Sequence, residues 1–158
     1  MAPFVIRPAT AADTATIVDF NLRIAAETED TSLDRDLVAR GVEAILSNAG
    51  HGRYYVACVD QAPVGQVMHT REWSDWRNGD IWWVQSVYVH KDHRRRGIFR
   101  GLYDHIKNLA MADPAVVGVR LYVDADNRVA QATYERLGMQ AARYRIMEEF
   151  FAADHRTG

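Results

Sequence analysis

A lone cysteine, Cys58, rules out an internal disulfide, and no Cys and His pair has the spacing of zinc ligands. The chain therefore reads as metal-free and suited to a reducing compartment. An apolar run of 18 residues is also missing, so no membrane-spanning helix is expected. Charge of one sign is scarce: nineteen Lys plus Arg against twenty-one Asp plus Glu leave a net charge of −2, too little for a broad nucleic-acid surface. There is no internal repeat and no low-complexity linker, so the 158 residues read as one domain, 1–158, long enough to bury a core. The amino-terminal Met-Ala-Pro-Phe-Val-Ile-Arg lacks the basic region and apolar core of a secretory signal, and a cytoplasmic protein is expected.

What is present is a change of period along the chain. Phe4 to Arg7 is a short apolar strand stopped by Pro8. Thr10 with Asp13 makes a capping box for a helix bearing Ile17, Phe20 and Ile24 on one face, and Thr31 with Asp34 predicts a second helix through Leu37, Val42 and Leu46. Arg53–Val59 and Val64–Trp73 then read as an antiparallel hairpin, and Asn78-Gly79 predicts a tight type I′ turn into a third partner, Ile81–Val89. That fourth strand is apolar on both faces apart from Gln85 and Ser86, the mark of a central strand. Ile98, Leu102, Ile106 and Leu109 form a helical stripe, and Val116–Val123 must run parallel to the fourth strand because a helix joins them. Asp126 or Asn127 caps a last helix through Leu137, with Gly138 just past its end, after which Met139–Phe150 is expected to return as a final strand or two. The class is α/β: a mixed, mostly antiparallel sheet with one parallel pair, flanked by helices on both faces.

The loop His90-Lys-Asp-His-Arg94-Arg95-Arg96-Gly97 joins a buried strand to the first turn of a helix. The first N–H groups of a helix lack intrahelical acceptors and sit at the positive end of its dipole, so such a loop suits a phosphate. Gly97 leaves room beside the main chain, and Arg94, Arg95, Arg96 and Arg100 supply charge. A run of arginines can equally be a solvated face; its position at the carboxyl end of a strand favours a ligand site.

Taken in order, these elements resemble the GNAT-type N-acetyltransferase superfamily over essentially the whole chain. Its signature, Arg or Gln, two residues, Gly, one residue, Gly or Ala, is similar to Arg94-Arg-Arg-Gly97-Ile98-Phe99, with Phe99 as the departure. The run Asn127-Arg-Val-Ala130-Gln-Ala-Thr-Tyr134 matches a second family element. The resemblance implies acetyl-CoA as cofactor, held by Val87, Tyr88 and Val89 through a strand bulge and by Arg94 to Arg100, Ile98 and Phe99 included. It implies Asn127 along the pantetheine arm and Tyr134 as the acid that protonates the departing thiolate.

Some relatives carry a glutamate where Gln85 stands, and an amide takes no proton at neutral pH, so Gln85 is read as orienting a water. Glu27, Glu29, Glu72, Asp75 and His69 are the remaining candidate bases, each with a structural role as the alternative. Trp73, Trp76, Trp82 and Trp83 lie within eleven residues; with Glu27 and Glu29, the residues Trp73, Trp76 and Trp83 are taken as the acceptor side, suited to a cationic amine. Core packing or a homodimer surface is the other reading of the tryptophans. The function implied is transfer of acetyl from acetyl-CoA to a primary amine of a small molecule or peptide by direct attack on the thioester. A non-catalytic acetyl-CoA-binding module and an enzyme acting on a nucleic-acid-linked amine are the alternatives.

Overall fold

The computed structural model describes residues 3–151; positions 1–2 and 152–158 of the expected single domain lie outside the described residues. Strand β1 (Val5–Pro8) leads through a 3-10 turn (Ala11–Asp13) into α1 (Thr14–Thr28), followed by α2 (Arg35–Ser47), β2 (Arg53–Val59), β3 (Ala62–Ser74) and β4 (Gly79–Val89). A second 3-10 turn (Lys91–His93) precedes α3 (Ile98–Ala112), and β5 (Val116–Leu121) and α4 (Arg128–Arg136) complete the order. The sheet is β1-β2-β3-β4-β5, antiparallel except for the β4–β5 pair. The mixed class expected from the periodicity is therefore the observed one. Among the described residues no helix is long and apolar enough to cross a membrane, and no group of His, Cys, Asp and Glu could hold a metal ion.

Contacts divide the chain at Leu121/Tyr122 into two compact units. The first holds the sheet and α1 to α3. Alternate residues of β2 point to opposite faces, which is why one strand serves two cores. Tyr54, Val56 and Cys58 meet Ile17 and Val18 of α1 and Val42 of α2, whereas Tyr55, Ala57 and Val59 meet Ile98, Leu102 and Ile106 of α3. Leu102 and Ile106 have no exposed surface, and burying each contributes roughly 1.5–3 kcal/mol before entropy is counted. The second unit contains α4.

Local signals were read with three differences. The Thr10–Asp13 box forms, with the Thr10 N–H donating to Asp13 Oδ2 at 2.8 Å, and Arg7 completes it by a salt bridge of 2.8 Å to the same carboxylate. Helix α2, however, is capped by Asp34 itself, whose carboxylate accepts from Leu37 N–H at 2.8 Å; Thr31 turns back to the Glu29 carbonyl. The type I′ geometry sits at Asp60-Gln61, both at positive φ (48° and 66°) between paired Val59 and Ala62. Ser74 pairs with Gly79, so the second hairpin closes through Asp75–Asn78. Gly79 is inside the strand, where a Cβ would come within 2.5 Å of Val117 Cγ1.

The third difference is the tail. Residues 139–150, expected to return as a strand, form no strand among the described residues, and Tyr144, Ile146, Met147 and Phe150 are exposed. Alternating apolar residues make a strand only where a neighbour accepts their N–H groups.

Candidate active site

Strand β4 breaks step in its middle. Met68 pairs with Gln85 and Gln66 with Tyr88, so Ser86 and Val87 together stand against the single residue Val67. This is a β-bulge, and Ser86 adopts φ 50°, a left-handed conformation costing a non-glycine residue about 1–2 kcal/mol. The bulge expected at Val87–Val89 thus begins one residue earlier, at Ser86. It also reverses the strand's alternation: Trp82 and Val84 face α3 ahead of it, and Val87 and Val89 face α3 after it.

A buried polar chain holds the bulge. Gln66, with no exposed surface, donates Nε2 to the Ser86 carbonyl at 3.1 Å and to Asn21 Oδ1 at 2.8 Å; Asn21 Nδ2 donates to the Tyr54 hydroxyl at 3.0 Å. Burial pushes the Tyr54 phenol above its ordinary pKa, so the hydroxyl keeps its proton. Beside this chain Gln85 donates Nε2 to Thr70 Oγ1 at 2.7 Å. Asn21, Tyr54, Gln66 and Thr70 were not singled out from the sequence. Their signal was there: Asn21 interrupts Phe20 and Leu22 on α1, and Gln66 interrupts Val64 and Val67 on β3.

Beyond β4 the basic loop turns on two left-handed residues, Arg95 (φ 61°) and Gly97 (φ 77°). The Gly101 N–H donates to the Gly97 carbonyl at 2.9 Å, which makes Gly97 the N-cap of α3, and helix geometry leaves the preceding N–H groups of that turn without intrahelical acceptors. A Cβ on Gly97 would meet nothing within 4 Å, so the space over the turn is open, as a phosphate cradle requires. Ile98 is 1% exposed, so there only the main chain could serve a ligand, whereas Phe99 is half-buried against the α3 core. Arg96 approaches His93 at 3.4 Å and Arg100 approaches Asp104 at 3.4 Å, both at the surface.

Arg94 does something else. Its guanidinium bonds to Glu27 of α1, its Nε donates to the Val89 carbonyl at 3.0 Å, and it lies 5.7 Å from the centre of the Tyr88 ring. Tyr88 donates to the other Glu27 oxygen at 3.1 Å. The arginine holds the Glu27 carboxyl below the usual carboxylate range, while burial and then the Glu27 carboxylate push the Tyr88 phenol up. The sequence assigned Arg94 to the anion rim and Glu27 to the acceptor; the structure joins them to each other, tying the end of α1 to the end of β4.

Other expected residues are dispersed. Glu29 is exposed just past α1. Trp73 and Trp76 are exposed near the hairpin tip, and Trp73 pairs with Asp80, six residues or about 20 Å of strand from Ser86. Trp82 is buried on the α3 face, stacked 3.8 Å from His69, whereas Trp83 lies 6.0 Å from Arg120, which pairs with Glu72 at 2.7 Å. No single aromatic wall forms from them, because neighbouring strand residues point to opposite faces. In the second unit Asn127 caps α4, its Oδ1 accepting from Ala130 N–H at 3.0 Å, and Tyr134 lies near that helix's end.

A strand bulge leading into an open glycine turn is the arrangement that the family resemblance implied, and comparison bears the family out. The sequence model described as the acetyltransferase (GNAT) family matches residues 19–139. The chain belongs to this family. A protein described as a possible acetyltransferase from Clostridium difficile 630 is 46% identical, with a TM-score of 0.90, covering 94% of this chain and 98% of that one. A protein described as a predicted acetyltransferase from Clostridium acetobutylicum, solved with acetyl-CoA, shares the fold at 16% identity (TM-score 0.77; 93% and 96% covered). A ribosomal-protein-alanine N-acetyltransferase from Brucella melitensis biovar Abortus 2308 does so at 19% (TM-score 0.73; 94% and 100% covered). No curated protein sequence matches the chain. The donor of this GNAT acetyltransferase is acetyl-CoA.

Proposed function

We propose that this protein, as one domain over 1–158, moves an acetyl group from acetyl-CoA to the primary amine of a small molecule or peptide by direct attack on the thioester. The observation that carries the reading is the bulge at Ser86–Val87, only ten residues ahead of the open turn at Gly97. Together they place a break in the β4 ladder at one end of an extended ligand and the first turn of a helix at the other. The family match spanning 19–139, the acetyl-CoA-bound neighbour and the amine acceptor named for another neighbour all support it.

Acetyl-CoA, when bound, would supply an acyl group activated as a thioester. The main chain of Gly97, Ile98 and Phe99, with Arg95, Arg96 and Arg100, would hold its pyrophosphate, and Val87–Val89 would donate to the thioester carbonyl and pantetheine amides. Asn127 would lie along the pantetheine, and Tyr134 would give a proton to the leaving sulfur. Glu27, held ionised by Arg94, is a poor proton acceptor. A water oriented by Gln85 would take the amine proton instead.

A second reading has one observation in its favour: Gln85 spends its amide on Thr70 and offers no base at the bulge, which suits a module that binds acetyl-CoA without turning it over. Thiol release with a panel of amines, with mass spectra of the products, decides between them. Acetylated amine is expected; tight acetyl-CoA binding without transfer to any amine would leave the binding module.

A further inference from the structure

Between α2 and the face of β2 and β3 that looks at α1 lies a cavity of about 360 Å³, within the roughly 300–1,000 Å³ of small-molecule sites. Its wall is apolar: Val38, Val42 and Ile45 from α2 and Met68 from β3. Its polar side chains include Asn21, Tyr54 and Thr70. Two hydrogen-bonded paths tie these three to the bulge. Thr70 accepts from Gln85, the residue before Ser86, and Tyr54 is linked through Asn21 and Gln66 to the Ser86 carbonyl. A molecule with its polar head at Asn21 and Thr70 would have that head beside the bulge and its body along α2.

The charge around the cavity says what the body can be. Asp19 on α1 is engaged by Arg23 and Arg35, Glu27 by Arg94, and Glu72, two residues past Thr70, by Arg120. Glu43 on α2 lines a different hollow with Ala11 and Thr14, and Asp36 is exposed in the first turn of that helix. His51 and Tyr54 are the ionisable side chains on the cavity wall, and burial keeps the Tyr54 phenol protonated. A second ammonium on the body would lie along Val, Ile and Met side chains that offer it no partner, with every nearby carboxylate on α1 and β3 already paired.

We propose that this cavity takes the acceptor and selects a primary monoamine with an uncharged, apolar body. The proposal rests on the acetyl-transfer reading for what happens to the head group, but not for the binding itself. In the transfer the amine nitrogen bonds to the acetyl carbon and the C–S bond breaks with its electron pair going to sulfur. One proton leaves nitrogen for water and one reaches sulfur.

The test compares hexylamine with 1,6-diaminohexane, equal in length and different in one charge, in wild type and Gly41→Leu. Gly41 lines the cavity, and a Cβ there meets nothing within 4 Å, so a side chain can start from this position without a clash at its root. Replacing a helical glycine also favours the fold, which thermal unfolding will report. Hexylamine should show a kcat/KM for thiol release at least tenfold above the diamine. Gly41→Leu should raise the hexylamine KM tenfold or more while leaving the acetyl-CoA KM unchanged, and Gly41→Ala should fall between. Equal or better use of the diamine, or an unmoved hexylamine KM in Gly41→Leu, would overturn the cavity and leave acetyl transfer standing. Calorimetric binding of hexylamine to the coenzyme A complex, lost in Gly41→Leu but unaccompanied by thiol release, would uphold the cavity and overturn transfer. Neither binding nor release with either amine would overturn both.

Discussion

The side-chain amide of Gln66 donates to the carbonyl of Ser86, the one β4 residue at positive φ, across the two neighbouring strands at 3.1 Å. A strained residue persists only where its surroundings over-determine it, and this bond supplies much of that determination. The bulge is thus held from β3, by a side chain with no exposed surface.

Gln66→Leu should therefore act on turnover more than on cofactor binding. Removing the donor leaves the Ser86 carbonyl and Asn21 without their partner, a loss of about 1–3 kcal/mol in stability. The expected kinetic effect is a fall in kcat of roughly 10- to 100-fold, with the acetyl-CoA KM nearly unchanged. Steady-state kinetics beside thermal unfolding measure both; an unchanged kcat in a folded variant would show that the bulge does not need Gln66.

Tyr134→Phe keeps the ring and removes the proton. Turnover should drop by about 10- to 1,000-fold, the scale of general acid catalysis, while calorimetry shows acetyl-CoA affinity largely intact. Wild-type turnover would remove the tyrosine from the mechanism.

Gly97→Ala separates loop strain from ligand space. The residue stands at φ 77°, so any side chain raises the native energy by about 1 kcal/mol, yet its Cβ meets no protein atom within 4 Å. If the open space belongs to a pyrophosphate, the acetyl-CoA Kd should weaken by about tenfold or more, beyond what the small fall in Tm implies. A Kd that does not move would place the pyrophosphate elsewhere.

Glu27→Gln and Arg94→Met should not add. Each breaks the same pair between α1 and the loop, so the double variant should resemble either single one in acetyl-CoA affinity, with a coupling of roughly 0.5–3 kcal/mol. Strict additivity would mean that the two residues act separately.

His69 makes the fold sensitive to acid. Sandwiched between Trp82 and Tyr55, with Nδ1 lacking a hydrogen-bond partner among the described residues, it is held down to about 4 by burial and then by Arg71 and Arg53. Burial lowers His105 of α3, which meets the other edge of Tyr55, in the same direction. Because the folded state binds its proton later than the unfolded chain, the stability held above pH 6.5 is lost progressively as pH falls from 6.5 toward 4. The loss from His69 is on the order of 3 kcal/mol. Denaturant unfolding across that window should show the slope, and His69→Phe should flatten it.

Much of this molecule was legible because its signals are local. Helical and strand periods, the Thr10–Asp13 box and the Arg-rich turn before Gly97 all act within a few residues of themselves. What was not legible depends on partners far along the chain. That Arg94 also pairs with Glu27, 67 residues away, cannot be read from the loop that carries it. The position of the bulge depends on Gln66, and the wall of the cavity on how α2 lies over Met68 and Thr70. The tail over 139–150 has the alternation of a strand but forms none among the described residues, because alternation alone does not supply a neighbouring strand.

The bulge in β4 is also a one-residue insertion, and it fixes where the gene can tolerate gain or loss. A codon added or lost in the turn at 75–78 changes a loop. A codon lost at Ser86 would put the strand back in step with β3: Val87 would fall opposite Val67, Tyr88 and Val89 would keep their partners Gln66 and Gly65, and the bulge alone would disappear. One deletion there would leave both cores as they are and take away only the left-handed residue and its break in the ladder, so the length of this strand is tied to the site and not to the fold.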